Sequence, residues 1–198
     1  MIDFFRRLFV DPDDSDIPTL AYPRFDPKTL GLDGVHRTAF VVGAAGSGKS
    51  TLIKSLPQQE STSVYPDSDI PDVVTLEELS AKGRVVIEEM PFNTVFMRSK
   101  DLCKLFLDRK RIIMSMQTPL EVGFDLRPNV DVVFVAKPLG LYLDQAYNAY
   151  FTCLPREEYD RLMANLEPYE FLVVERARQY IGNQRVSLYK PVINSDTK

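Results

Sequence analysis

Residue types with distinctive side-chain chemistry are scarce in this sequence, whose 198 residues include no tryptophan, one histidine and two cysteines. The single histidine, His36, cannot form a multi-histidine metal site, so we expect it to have a structural role. Cys103 and Cys153 lie in distant segments without CxxC spacing, which is typical of buried free thiols in a reducing compartment. The sequence therefore contains no zinc-binding pattern and no disulfide framework.

Long apolar runs are also missing, because charged residues or prolines interrupt every apolar stretch well before the roughly 20 residues needed to span a bilayer. The N-terminal run MIDFFRRLFV contains Asp3, Arg6 and Arg7, and no small-residue cleavage site follows it, so it does not fit a secretory signal. We expect a soluble protein that is not secreted. Contact between the N-terminal segment and a membrane stays an open alternative.

A surplus of positive charge is absent as well. The chain has 24 lysines and arginines against 28 aspartates and glutamates, which gives a net charge of -4. The chain as a whole therefore does not attract a polyanion, and any contact with nucleic acid has to come from a local basic patch. The hydrophobic share of 44% and the charged share of 26% are ordinary for a globular protein.

The N-terminal residues 1–35 differ from the rest of the chain. The run DPDDSDIP and the prolines Pro18, Pro23 and Pro27 disfavour long helices and strands. We expect these residues to form an extension outside the core that wraps around or docks on one domain, residues 36–198. The segment MIDFFRRLFV would form one or two helical turns, which pack on this domain or on a partner.

Apolar segments alternate with segments of helical periodicity from Thr38 onward. The predicted strands are TAFVV, a short strand at residues 63–65, RVVI, RIIMSMQ and VDVVFVA, and the predicted helices are STLIKSL, VTLEEL, SKDLCKLFLDRK, LYLDQAYNAY and PREEYDRLMANL. Strands that are apolar throughout are buried on both faces, so the pattern predicts an α/β fold with a mostly parallel central sheet flanked by helices. The segment EFLVVERARQYIGNQRVSLYKPV predicts a C-terminal β-hairpin that turns at Gly182 and Asn183.

One glycine-rich segment, GAAGSGKS, matches the phosphate-binding pattern GxxxxGK[ST] and lies between a predicted strand and a predicted helix, as the pattern requires. Its backbone N–H groups would converge on phosphate oxygens. Lys49 would contact the β and γ phosphates, and the Ser50 hydroxyl would bind Mg²⁺. The expected nucleotide-binding residues are Gly43, Ala44, Ala45, Gly46, Ser47, Gly48, Lys49, Ser50 and Thr51.

Two acidic residues, Glu88 and Glu89, end the predicted strand RVVI. The carboxyl ends of parallel strands are where the ligands of such sheets bind. In ATPases of the additional-strand type this strand ends in Asp-Glu, the first acid binding Mg²⁺ through water and the second activating the attacking water. By that analogy we assign Glu88 to the metal and Glu89 to the role of catalytic base. Two solvated glutamates at a strand end are the alternative interpretation.

Gln117 follows the predicted strand RIIMSM. A neutral amide at that strand end can hydrogen-bond both the γ phosphate and the attacking water, so we expect Gln117 to sense hydrolysis. The sequence has no Asn-Lys-x-Asp run, which excludes a small GTPase. The region after Gln117 also does not suit the arginine-rich lid of a nucleotide kinase.

Together, the motif at residues 43–50, the Glu88-Glu89 pair, the strand ending in Gln117, the segment LRPNVD and the late segment EPYEFLVV resemble the viral genome-packaging ATPases of the FtsK/HerA superfamily, such as those of poxviruses. The resemblance covers residues 36–178. It implies a P-loop NTPase of the additional-strand type that uses ATP and Mg²⁺. It also implies a homo-oligomeric ring, hexameric by this likeness, that threads double-stranded DNA into a preformed capsid, with capsid or portal-vertex proteins as further partners.

The resemblance further implies that a neighbouring subunit supplies an arginine to the ATP site. Arg109 and Arg127 are the first candidates, and Arg111 and Arg98 are further ones. Loops facing the pore would contact DNA phosphates without base readout. The segment 93–104 is the expected pore element, and its DNA-binding residues would be Arg98, Lys100 and Lys104, unless these side chains belong to a solvated helix face.

Two other function classes stay open at this point. A kinase-like phosphotransferase would use the same phosphate loop with a pocket for a small nucleoside acceptor. A non-catalytic assembly protein would bind ATP without turning it over. The packaging ATPase would act in the virion or at an assembly site in the host-cell cytoplasm.

Overall fold

The computed structural model describes residues 22–30, 37–57, 63–66, 73–88, 100–108, 110–119, 127–138, 140–176 and 185–191. Their strands are β1 (Thr38–Val42), β2 (Ser63–Pro66), β3 (Val85–Glu88), β4 (Ile112–Met116), β5 (Val132–Ala136), β6 (Phe171–Glu175) and β7 (Arg185–Tyr189). Their helices are α1 (Lys49–Ser55), α2 (Val73–Lys82), α3 (Lys100–Leu107), α4 (Gly140–Ala146) and α5 (Arg156–Asn165). A π-helical turn, Tyr147–Phe151, follows α4 directly.

The strands form one seven-stranded sheet in the order β2-β3-β4-β1-β5-β6-β7. The pairs from β2 through β5 are parallel, whereas β6 pairs antiparallel with both β5 and β7. Strand β4 therefore lies between β3 and β1. The predicted α/β fold and mostly parallel sheet are confirmed. The C-terminal antiparallel pair is also present, while its predicted turn at Gly182 and Asn183 lies outside the described residues.

Both faces of the sheet are buried, which explains why its strands are apolar throughout. In β1, Phe40 and Val42 belong to one apolar cluster, whereas Ala39 and Val41 belong to another. Successive strand residues point to opposite faces, so each face requires its own apolar set. The helices supply the covering residues, namely Leu76 from α2, Leu102, Leu105 and Phe106 from α3 and Met163 from α5 on the first face, and Leu52 and Ile53 from α1 on the second.

Buried hydrogen bonds join the amino ends of β1 and β5. The Asp131 carboxylate, which is 5% exposed, accepts from the Arg37 N–H at 2.8 Å, the Thr38 N–H at 3.0 Å and the Thr38 hydroxyl at 3.1 Å. The Asp131 N–H donates back to the Thr38 hydroxyl at 2.9 Å. A buried carboxylate needs such partners to offset its lost hydration, so this cluster holds the two strands together at this edge.

Part of the predicted N-terminal extension packs against the domain. Phe25 and Leu30 belong to the second apolar cluster. The Phe25 ring lies edge-on to the rings of Phe134 and Tyr189, with distances of 5.1 Å and 6.0 Å between the ring centroids. The expectation that the extension lies outside the core is wrong for these two residues, because they cover apolar surface that β5 and β7 would otherwise expose. The domain division at residue 35 stays a prediction, and residues 1–21 and His36 lie outside the described residues.

Neither cysteine forms a disulfide, as the sequence predicts. Cys103 is half-buried in α3, but Cys153 is exposed in the turn that follows the π-helical segment. The expectation of a buried thiol is therefore wrong for Cys153, because it lies where the chain leaves the core between two helices. No helix in the described part of the chain is long and apolar enough to cross a membrane.

Candidate nucleotide-binding site

The predicted phosphate loop connects β1 to α1 and curls back at the start of the helix. The Gly43 N–H donates to the Met116 carbonyl of β4 at 3.1 Å, which fixes where the loop leaves the sheet. A Cβ on Gly43 would lie 2.4 Å from Ser47 Oγ and 2.9 Å from Ala136 Cβ, so a larger residue would have to displace one of these neighbours. Gly48 has a φ of 95°, in the left-handed region that glycine adopts at little cost. The two glycines thus permit the curl for different physical reasons.

Lys49 is the first residue of α1 and lies inside this curl. Its side chain is 4% exposed, and its ammonium donates to the carbonyls of Gly43 at 2.8 Å and Ala44 at 3.2 Å. The positive charge is therefore held within the loop, where phosphate oxygens would gain a partner of opposite charge. This placement suits a lysine that contacts phosphate, a role that stays a prediction.

Ser50 and Glu88 meet at the same edge of the sheet. The exposed Ser50 hydroxyl donates to Glu88 Oε2 at 3.3 Å. This contact forms although β4 lies between β3, which ends in Glu88, and β1, which leads into the phosphate loop. The hydroxyl and carboxylate oxygens are the ligand types that Mg²⁺ prefers, and such sites are completed by water and substrate phosphates. Among the described residues no cluster of three or more His, Cys, Asp or Glu side chains could hold a metal alone. By their donor chemistry, the Ser50 and Glu88 oxygens fit Mg²⁺ that arrives with a phosphate ligand.

Gln117 comes directly after β4, beside the start of the phosphate loop. Met116 is the register partner of Val42, and its carbonyl is the acceptor for the Gly43 N–H. The Gln117 side chain is exposed at this edge. The strand order thus brings Glu88, Gln117 and the phosphate loop to neighbouring positions, while their roles as metal ligand, sensor and phosphate site stay predictions.

Other predicted site residues fall elsewhere or outside the described part of the chain. Glu89, Arg98 and Arg109 lie outside it, so their roles stay predictions. Lys100 is the first residue of α3, and Lys104 is exposed on the same helix.

Two of the arginine candidates lie at the end of the strands opposite the phosphate loop. Arg127 is 8% exposed in the turn before β5, and Arg111 immediately precedes β4. Both therefore lie at the amino ends of these strands, whereas the phosphate loop lies at the carboxyl end of β1. Neither can reach its own chain's loop across the length of the sheet. Their role at the nucleotide site of a neighbouring subunit stays a prediction.

A cavity beside the phosphate loop was not predicted from the sequence. It has a volume of about 440 Å³ and is lined by residues 46–47, 136–137 and 166–170. The antiparallel strand β6 begins at the edge where β5 ends, with Ala136 and Phe171 as register partners, so the segment before β6 lies beside the loop. The segment EPYE, at residues 167–170, is the signal in the sequence that could have found it.

Tyr169 makes direct contact with the phosphate loop from this segment. A Cβ on Gly48 would lie 2.5 Å from Tyr169 Cδ1, so the ring packs on the Gly48 backbone. Tyr169 itself has a φ of 63°, and it is the single non-glycine residue with positive φ in the described part of the chain. A left-handed residue that is not glycine, asparagine or aspartate is uncommon and often marks a functional segment.

Comparisons with known proteins identify the fold. No protein-family model matches the sequence, and no curated protein sequence matches it. The solved structure of the genome packaging NTPase B204 from Sulfolobus turreted icosahedral virus 2 in complex with ATP-gammaS has a TM-score of 0.58 and 14% identity, over 81% of this chain and 100% of that chain. The same protein in complex with sulfate gives a TM-score of 0.58 and 15% identity, over 81% of this chain and 98% of that chain.

A third structure agrees with these. The crystal structure of B204, the DNA-packaging ATPase from Sulfolobus turreted icosahedral virus, has a TM-score of 0.54 and 15% identity, over 78% of this chain and 97% of that chain. At these identities the likeness concerns the fold. The chain therefore shares the α/β fold of the B204 structures, which confirms the predicted fold class.

Proposed function

We propose that this protein is an ATPase that binds ATP and Mg²⁺ in the phosphate loop and couples hydrolysis to the packaging of double-stranded DNA. The observation that carries the proposal is the contact of 3.3 Å between Ser50 Oγ and Glu88 Oε2. It brings a phosphate-loop hydroxyl together with the carboxylate at the end of β3, and these oxygens suit Mg²⁺ beside a bound triphosphate. The likeness in fold to B204, described as a DNA-packaging ATPase, supports the coupling to DNA.

The residues of the site divide the chemistry among them. Backbone N–H groups of residues 43–51 and the Lys49 ammonium bind the triphosphate, and Ser50 and Glu88 hold Mg²⁺. When bound, Mg²⁺ supplies positive charge to the phosphate oxygens. Glu89, the residue after the end of β3, accepts a proton from the attacking water. Gln117 donates its amide to the γ phosphate and orients that water.

A ring of subunits completes the proposed site. A neighbouring subunit supplies an arginine, for which Arg111 and Arg127 are candidates because both lie at the strand ends away from their own phosphate loop. Arg109 and Arg98 stay further candidates. Hydrolysis then depends on assembly, because the charge that develops on the γ phosphate is stabilised only across an interface. A hexamer is the ring that the motif resemblance implies.

The proposed DNA contacts are local and electrostatic. The net charge of -4 means that the surface as a whole does not attract DNA, so the contacts must come from a basic segment such as the one with Arg98, Lys100 and Lys104. Capsid or portal-vertex proteins are the proposed docking partners, and the virion or its assembly site in the host cytoplasm is the proposed place of action.

The test compares ATP hydrolysis at increasing protein concentration with and without double-stranded DNA. We expect the rate per subunit to rise with concentration and again with DNA. E89Q should retain ATP binding and lose turnover, whereas K49A should lose ATP binding. A constant rate per subunit that DNA does not change would contradict the packaging proposal, and phosphoryl transfer to a nucleoside by the monomer would favour the kinase alternative. ATP binding without turnover by the assembled protein would favour the non-catalytic one.

A further inference from the structure

The cavity beside the phosphate loop has no role in the mechanism proposed above. It lies on the β5 and β6 side of the loop, whereas Glu88 and Gln117 lie on the β3 and β4 side. A triphosphate in the loop with its γ phosphate towards Glu88 therefore has its other end towards the cavity. The volume of about 440 Å³ falls within the range of about 300 to 1,000 Å³ that small-molecule sites occupy.

Tyr169 is the one aromatic residue among those that line this cavity. One part of its ring packs on the Gly48 backbone, and the residue is still 44% exposed. The core tyrosines Tyr150 and Tyr159 are 1% and 0% exposed, so their rings have no surface to offer a ligand. An aromatic ring that is fixed on one side and accessible on the other is a stacking surface for a planar base.

The segment that carries Tyr169 is held in place by several polar contacts. The Glu170 N–H donates to the Glu167 carbonyl at 3.0 Å, and the Glu167 N–H donates to Glu170 Oε2 at 3.2 Å. Arg24 forms an ion pair with Glu170, and Lys190 forms one with Glu167. Both carboxylates thus have cationic partners, which lowers their repulsion of a phosphate chain nearby. The ring is also positioned before any ligand arrives, which lowers the entropy cost of binding.

We propose that this cavity binds the base and ribose of the nucleotide, with the base stacked on the Tyr169 ring. The inference rests on the proposed function, since it assigns the second half of the same nucleotide site. Stacking accepts every base because each has a π face, and a purine offers the larger face. The site therefore favours purine nucleoside triphosphates over pyrimidine ones.

The experiment measures the affinity of the full chain for ATP, CTP and inorganic tripolyphosphate, with Mg²⁺ present. Y169N removes the ring, and asparagine tolerates the left-handed backbone, so this variant keeps the fold. Y169F keeps the ring without its hydroxyl. Y142A, which removes a half-buried tyrosine on α4 that does not line the cavity, is the matched control, and thermal melting verifies the fold of each variant.

We expect Y169N to weaken ATP binding about 5- to 150-fold, the range for loss of one base-aromatic stack, and to weaken CTP binding less. Tripolyphosphate affinity should not change in Y169N, and Y169F and Y142A should bind ATP like the unaltered protein. Equal ATP affinity in Y169N and the unaltered protein would overturn the stacking role and leave the proposed ATPase intact. An equal loss for tripolyphosphate would also overturn it, since the ring would then act only through the phosphate loop. An unaltered protein that binds neither ATP nor tripolyphosphate would overturn both proposals.

Discussion

Replacing Gly48 by alanine separates two costs that the structure assigns to this position. The first is backbone strain, because Gly48 has a φ of 95° and an alanine in the left-handed region costs roughly 1–2 kcal/mol. The second is steric, because the new Cβ would lie 2.5 Å from Tyr169 Cδ1. Overpacking costs about 1–3 kcal/mol, and we expect the low end of that range because Tyr169 is partly exposed and its ring can shift.

Gly46 provides the matched control. Its φ is 76°, and a Cβ added there would meet nothing within 4 Å, so G46A carries the strain without the clash. We therefore expect G46A to lower the free energy of unfolding by roughly 1–2 kcal/mol and G48A by roughly 2–3 kcal/mol. Adding Y169N should restore about 1 kcal/mol to G48A and nothing to G46A.

The assay is urea unfolding of the nucleotide-free protein for the single variants and the two double variants. The double-mutant cycle of G48A with Y169N isolates the ring contact, since each single change also has effects of its own. A coupling energy within about 0.3 kcal/mol of zero, or one equal to that of the G46A cycle, would refute the packing of Tyr169 on the phosphate loop. The stacking surface proposed above would then lose its support.

Three further predictions concern other parts of the molecule. S50A and E88Q should each raise the Mg²⁺ concentration needed for half-maximal ATP hydrolysis by roughly 10-fold or more, as loss of a contact to a charged group predicts, and an unchanged Mg²⁺ titration would exclude both as ligands. Burial raises the pKa of Tyr22 from 10.0 to about 12, with a contribution from its hydrogen bond to a glutamate, so the folded state favours the neutral phenol. This stabilisation is fully present below pH 10 and is lost as the pH rises towards 12. Y22F should therefore show a smaller fall in unfolding free energy across that window than the unaltered protein. An identical fall in both proteins would contradict the raised pKa of Tyr22. D131A should lower the unfolding free energy by about 3 kcal/mol, because it removes the acceptor of the Arg37 and Thr38 N–H groups and leaves the Thr38 hydroxyl only its longer hydrogen bond to the Asn129 carbonyl. A loss below about 1 kcal/mol would mean that water replaces the carboxylate.

The features that depend on near neighbours in the chain could be predicted from the sequence. The apolar runs of the strands specify a sheet covered on both faces, because side-chain alternation is a property of each strand alone. The phosphate loop also depends only on residues near one another in the chain. Gly43, Gly48 and Lys49 lie in one short segment and set the curl of the loop by backbone geometry and short contacts. Glu88 could be placed at a strand end for the same reason.

Pairings between distant segments could be decided only by the tertiary structure. The sequence does not specify that β4 inserts between β3 and β1, nor that Glu88 Oε2 then lies 3.3 Å from Ser50 Oγ. The burial of Phe25 against β5 and β7 joins segments more than a hundred residues apart, so no local pattern marks it as core. Tyr169 reaches the phosphate loop because β6 runs antiparallel and begins where β5 ends. Such contacts are selected by the packing of the whole sheet, in which the burial of many residues together outweighs the preference of any single segment.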